Sequence, residues 1–276
     1  MKNIKITITK YLTVAFLSLG LFSSCGDETD FSPYKEGVSE TDALIKFQNT
    51  AIGPEGKNFS VNWYLDDVKT TGVSVSSGLP VGIGYGGAYP AAINYALTAF
   101  GTKNLKVEIP ATATDPASTV LTASLNMEAK RNYTSFLVGV AGNYSEYTIN
   151  DDLSVSDQDP TKSYIRFINV ISNSPVTGYD LSIKELNSNE VIYTGVKYLE
   201  GNEVFIPIPA IADLESTTYE FQLRNIGTTT IISKTTLTPR KGRIYTFFSR
   251  GFVGGLSNGL PSSTVNIPVL TYYTNK

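Results

Sequence analysis

The chain has 276 residues, 41% hydrophobic and 17% charged, with one Cys, no His and a net charge of −3. It is long enough for one large or two ordinary domains with cores of their own. The missing His removes the commonest general base, the commonest zinc ligand and every Ser-His or Cys-His nucleophile, one Cys excludes an internal disulfide or Cys-based metal cage, and the acidic balance argues against nucleic acid as a partner.

Residues 1–24 read as a signal peptide. Lys2, Lys5 and Lys10 precede a short apolar run, Tyr11 to Phe22, which is shorter than the roughly 20 residues needed to span a bilayer. The run ends in Ser23-Ser24-Cys25, which resembles a bacterial lipobox, with Phe22 where Leu is usual. The resemblance implies cleavage before Cys25 and lipid attachment there, with the membrane as partner. Removing residues 1–24 takes three Lys and no acid, leaving 19 basic against 25 acidic residues. Residues 25–42 are acidic and read as a solvated tether. The acids directly after Cys25 also resemble a surface-export signal, which gives a surface-exposed outer-membrane lipoprotein as the expected location.

Composition beyond the tether favours strands, being rich in Tyr, Thr, Ile, Val, Gly and Pro. Phe59, Val61, Trp63 and Leu65 alternate with polar partners, and Asp66-Asp67 closes the run as a turn. Leu105 to Ile109, Tyr179 to Ile183, Phe221 to Leu223 and Val265 to Val269 alternate likewise. Ala91 to Phe100 is the one window that could be helical.

The order of motifs repeats. Ile45-Lys46-Phe47-Gln48-Asn49 returns as Ile165-Arg166-Phe167-Ile168-Asn169, Thr71-Gly72-Val73 as Thr194-Gly195-Val196, and Tyr133 to Gly139 as Tyr245 to Gly251. The offsets are 120, 123 and 112 residues, as for a duplicated domain. The reading is all-β, with two tandem immunoglobulin-like antiparallel β-sandwich domains at 43–150 and 161–276, joined by an acidic linker at 151–160. A hinge motion at the linker is expected.

The stretch Tyr164 to Leu181 resembles the start of the "domain of unknown function 4397" family. Its basic-aromatic-Asn strand, Ser174-Pro175 turn and Tyr179-Asp180 strand carry the likeness, and Tyr245-Thr246-Phe247-Phe248 fits the closing strand. In the first unit Gly53-Pro54-Glu55 replaces the Ser-Pro turn. The resemblance implies tandem β-sandwiches on bacterial surface lipoproteins and transfers no catalytic residue.

Chemistry-bearing motifs are few. Gly82-Ile83-Gly84-Tyr85-Gly86-Gly87 fits G-x-G-x-x-G, but a dinucleotide site needs a helix after it, and Pro90 follows. Asp151, Asp152, Asp157 and Asp159 lack calcium-loop spacing and read as a solvated linker. Alternation puts Trp63 in the core and Tyr64 on the opposite face. Tyr85 and Tyr89 are the large groups of the Gly-rich loop. With Tyr64 they form the expected recognition surface, the second unit serving as a spacer. No cofactor or metal is expected. The functional expectation is a lipid-anchored, non-enzymatic binding or structural module for a glycan, peptide or envelope partner. An adhesion or assembly subunit pairing through sheet edges is the alternative, and a carboxylate-dependent hydrolase a more distant one.

Overall fold

A computed structural model describes residues 39–71, 75–76, 79–185, 190–200 and 204–276. The signal segment, Cys25, most of the acidic tether and Gly72-Val73 lie outside the described residues. Ser39–Lys276 forms one compact unit. Among the described residues no helix is long and apolar enough to cross a membrane.

The repeated five-residue pattern organises both halves. In β1 (Asp42–Asn49), Ala43, Ile45 and Phe47 point into one core, so Leu44, Lys46 and Gln48 point the other way. In β12 (Lys162–Asn169), Ile165 and Phe167 point into a second core, and Arg166 and Ile168 point away from it. Each strand then pairs in parallel with a later one. Ile45 lies opposite Tyr133 and Lys46 opposite Thr134 of β10 (Asn132–Val140). Ile165 lies opposite Tyr245 and Arg166 opposite Thr246 of β18 (Ile244–Arg250). The other sheet pairings are antiparallel.

In the first half β11 (Asn143–Asn150), β10 and β1 lie side by side, with β6 (Ala88–Tyr89) and β7 (Ala96–Ala99) along the far edge of β1. Facing them is the sheet β3 (Val68–Lys69), β2 (Asn62–Leu65), β8 (Gly101–Ile109), β9 (Ser118–Met127). Strands β4 (Val75–Ser76) and β5 (Leu79–Pro80) make a separate small hairpin. Trp63 is buried between the two large sheets and stacks on Phe47 at 5.4 Å. Asp66-Asp67 forms the two-residue turn of the β2–β3 hairpin, both residues at positive φ.

In the second half one sheet runs β15 (Ile206–Pro209), β12, β18, β19 (Val269–Thr274). The other runs β14 (Glu190–Val196), β13 (Tyr179–Ile183), β16 (Tyr219–Asn225), β17 (Ile231–Leu237). Phe221 and Phe247 stack at 4.1 Å between them. The protein is thus all-β, with a sandwich in each half.

A third apolar cluster joins the halves. Phe136, Val138 and Ile149 of the first half pack on Ile168, Val170 and Phe248 of the second. The β1 and β12 sheets are therefore inner layers buried on both faces, which is why β12 is almost continuously buried rather than alternating. Each fully buried apolar side chain there stabilises the joined state by roughly 1.5–3 kcal/mol.

Four local expectations change. The window Ala91–Phe100 is a turn followed by β7, because the carbonyls of Pro90, Ala92 and Asn94 converge on Lys46 instead of a helical ladder. The last strand begins at Val269; Asn266 sits at positive φ, and Pro268 has no N–H to give a ladder. Phe59 and Ser60 precede β2 rather than belonging to it. The connector 151–160 is ordered by local bonds, although most of its residues are exposed. Asp151 is fully buried, Asp152 accepts from Ser154, Asp159 accepts from Thr161, and α1 (Val155–Gln158) lies between.

Strand direction sorts the loops. The described chain starts at one end with β1, and the β2–β3 turn, the β7–β8 join, the connector and Lys276 lie at that proximal end. The segments 50–60, 82–87, 171–178 and 251–268 lie at the opposite, distal end.

Candidate functional site

The distal end is where the sequence-derived candidates and the structure meet. Asn49, closing β1, anchors the Gly-rich loop. Its Nδ2 donates to Phe59 O at 2.9 Å and to Ile83 O at 3.0 Å, and its backbone bonds Gly86 and Gly87. Asn169, at the matching position of β12, donates to Ser174 Oγ at 3.0 Å and Val196 O at 3.2 Å. The closing Asn of the pattern is thus a staple from strand end to neighbouring loop.

Close backbone packing explains most of the loop glycines. A Cβ on Gly82 would stand 2.7 Å from Val61 N, and one on Gly87 2.9 Å from Gly84 O. Gly86 is at φ +78°, with Arg250 against it. Gly84 alone would accept a Cβ without a clash, its nearest neighbour being Ser60 Oγ at 3.7 Å. No helix follows the loop, so it has no dinucleotide geometry.

Tyr85 leaves this loop and lies under Arg250, whose guanidinium carbon is 4.6 Å from the ring centroid. Arg250 belongs to the second half, ending β18. Among the described residues, Tyr85 Oη and Arg250 Nε are both buried without a hydrogen-bond partner, and so is Asn49 Oδ1. Burial raises the Tyr85 phenol pKa, and the Arg250 charge opposes that rise. Among the described residues no carboxylate pairs with Arg250. The loop therefore carries two unused donors and an unused acceptor, groups that are costly to bury unmatched. The second half supplies the cation of this junction. Sequence reasoning singled out Tyr85 but missed Arg250, which follows the repeated Tyr245 to Ser249 strand as an apparently ordinary surface base.

The three predicted tyrosines do not form one surface. Tyr64 lies on the outer face of the β2 sheet, beneath Lys106 at 4.4 Å, and donates to Glu108 Oε1 at 3.1 Å. Tyr89 pairs with Phe47 on β1 and packs against the first core. A core-edge Tyr89 cannot share a face with Tyr64. Cys25 lies outside the described residues.

A polar cluster lies between the halves, and it too was hidden in the sequence. Lys46 is 0% exposed and its ammonium donates to Pro90 O at 3.2 Å, Ala92 O at 2.6 Å and Asn94 O at 2.8 Å. Arg166, also 0% exposed, pairs with Asp151 Oδ1 and donates to Thr246 Oγ1 at 2.9 Å and Asn150 O at 2.9 Å. Asp151 Oδ2 accepts from Tyr95 at 2.7 Å and Thr134 at 2.6 Å. Asn275 closes the cluster, donating to Tyr95 Oη at 3.0 Å and accepting from Thr246 at 2.8 Å. Burial lowers the Lys46 pKa to about 8, against the pull of Asp151. Burial also disfavours the Arg166 cation, but Asp151 and Tyr273 outweigh it and raise its pKa. The carboxylate is saturated by partners, so this cluster binds the halves rather than presenting a reactive group. Among the described residues no group of three or more Cys, Asp or Glu could hold a metal ion.

No curated protein matches the chain. Among solved structures, a carbohydrate-binding module of family CBM26 from the Eubacterium rectale protein Amy13K, crystallised with maltoheptaose, aligns at 12% identity with a TM-score of 0.20, covering 85% of this chain and 97% of that one. A sequence family described as Domain of unknown function (DUF4397) matches residues 58–177, from just before β2 through β12 and the Ser174-Pro175 turn. The strand motifs at Tyr164–Leu181 and this match agree, the match covering 120 of the 276 residues.

Proposed function

We propose that this protein is a lipid-anchored component of the bacterial outer membrane, displayed at the surface, and that it acts as a non-enzymatic binding module through its distal loops. The observation that carries the reading is the pair of buried, unmatched donors, Tyr85 Oη and Arg250 Nε, on a loop junction built by both halves. The common register of β1 with β10 and of β12 with β18 supports the further reading that the halves are copies of one unit. The test is an array of oligosaccharides and peptides probed with the full chain in detergent. Tyr85→Phe and Arg250→Gln should each weaken the captured partner's binding while the melting temperature holds. Binding that is identical in both variants overturns the site.

A second reading, assembly through sheet edges, is supported by β7. Among the described residues it pairs on one side only, with Leu97 60% exposed and Phe100, just after it, 50% exposed. Concentration-dependent self-association that Leu97→Lys abolishes would favour it.

A further inference from the structure

We infer that two copies of this chain pair through β7 across a two-fold axis, each lending the open edge of its first half to one continuous sheet; this rests on the assembly reading above and names its partner. The observation is a difference between the halves. In the first, β7 runs antiparallel along β1, with Leu97 opposite Leu44 and Ala99 opposite Asp42. In the second, β15 runs antiparallel along β12, with Pro207 opposite Tyr164 and Pro209 opposite Lys162. The repeated pattern aligns Lys46 with Arg166, and so Leu44 with Tyr164 and Asp42 with Lys162. Leu97 and Ala99 therefore stand where the second half has Pro207 and Pro209.

These are the positions whose peptide groups face away from the sheet. Leu44 N donates to Arg131 O and Asp42 O accepts from Lys130 N, both on the β10 side of β1. The alternate residues Ala43 and Ile45 are left to bond Thr98 and Ala96, so the N–H and C=O of Leu97 and Ala99 point outward. Likewise Tyr164 N donates to Arg243 O and Lys162 O accepts from Gly242 N on the β18 side, so Pro207 and Pro209 are the outward residues of β15. Proline has no N–H to offer an added strand, and the β15 edge is closed by it. The β7 edge has no such block. Leu97 and Ala99 are exposed, and no charged residue occurs from Thr70 to Thr102 to deter pairing.

Two-fold symmetry sets like against like, which a charged strand resists and this one does not. The antiparallel register that uses the outward groups is centred on Thr98. Leu97 then exchanges backbone hydrogen bonds with Ala99 of the second copy, and Ala99 with its Leu97. Thr98 faces its own counterpart, a favourable cross-strand pair, and the half-exposed Phe100 comes opposite Ala96.

The test uses the full chain carrying Cys25→Ala, which leaves no other Cys, in detergent. Thr98→Cys in this background should form an intermolecular disulfide under mild oxidation, because opposite residues of a non-hydrogen-bonded pair have Cα atoms about 4.5 Å apart, within disulfide reach. Leu97→Cys faces Ala99 and should cross-link far less, and Val68→Cys, exposed but off β7, should not cross-link. In sedimentation the parent should be a dimer that Leu97→Pro, copying the second half, converts to a monomer with an unchanged circular dichroism spectrum. Leu97→Lys supplies the same readout if the Pro variant fails to fold. A dimer lost in these variants, but with Leu97→Cys cross-linking as readily as Thr98→Cys, overturns the two-fold register and leaves the edge reading standing. A dimer that persists in both Leu97 variants overturns β7 as its seat. A monomer at every concentration, with no cross-link, overturns the self-pairing and the edge reading together.

Discussion

Lys46 and Arg166 occupy the same position of the repeated strand pattern, and both side chains enter one buried cluster around Asp151. A strand base is ordinarily a surface residue. Here the two sheets that carry these bases pack on each other, so each base must find its acceptors inside the protein. The cluster uses three loop carbonyls for one base and a single carboxylate for the other.

Removing that carboxylate should be costly. Asp151→Asn keeps the volume but leaves two buried cations without a counterion. A loss of roughly 3–5 kcal/mol is expected, read as a shift of the urea midpoint. Replacing Asp151 and Arg166 together by Leu and Met should recover much of it. A single variant as stable as wild type would show that Asp151 is not the counterion.

Lys46 gives a pH signature. Its folded pKa lies near 8, below the ordinary 10.5. Between these values the unfolded chain holds a proton that the folded chain has released, so stability due to this group rises as pH climbs from about 8 towards 10.5. Tyr95 and Tyr273, raised by burial and by Asp151, act in the opposite sense above about pH 10, where unfolded phenols ionise first. The difference in stability between wild type and Lys46→Met isolates the Lys46 contribution. It should change across pH 8–10 in favour of wild type. A flat difference would mean the ammonium keeps an ordinary pKa.

Much of the fold was legible locally. Alternation at Tyr179–Ile183 and Leu105–Ile109 placed the right side chains in the cores, and Asp66-Asp67 announced its turn. Long-range packing was not legible. Nothing in the period of Ile45-Lys46-Phe47 distinguishes a base facing water from one facing another sheet. Asp151 read as linker because its partner, Arg166, becomes its neighbour only after the halves close. The Gly-rich loop was visible as a motif, but most of its glycines answer to backbone crowding. Arg250, which completes the candidate site, comes from the other half of the chain.

Two glycines of the repeat should prove intolerant. Gly139 and Gly251 have φ of +95° and +117°, and a Cβ on either would overlap a carbonyl oxygen, of Asn143 or Ile267. Gly142 is also at positive φ, +87°, but has open space around it. Gly142→Ala should cost about 1 kcal/mol from backbone strain alone. Gly139→Ala should cost at least about twice that, since strain and overlap combine. Equal midpoints in thermal melts would remove the crowding argument.

The halves should not fold independently. Residues 39–150 expressed alone would expose Phe136, Val138 and Ile149 and leave Lys46 facing water. Aggregation, or a broad non-cooperative melt, is expected of that fragment. A soluble fragment melting sharply near the parent temperature would show that the interface is dispensable.

Cys25→Ala should abolish lipid labelling and move the protein from the membrane fraction to the soluble one after salt and carbonate washes. Retention in the membrane would defeat the anchor reading. The expectation follows from the sole Cys standing directly after a signal-like run.

The parallel pairing of β1 with β10 also sets how the protein carries mechanical load. A pull on the chain ahead of Ser39, resisted at the distal loops, acts along the axis of β1. The ladder from Leu44–Asn132 to Asn49–Leu137 is then strained in shear, so its bonds share the tension instead of failing one after another. A protein held by one end in flowing fluid, gripping something at the other, would yield last at the strand by which it is tied.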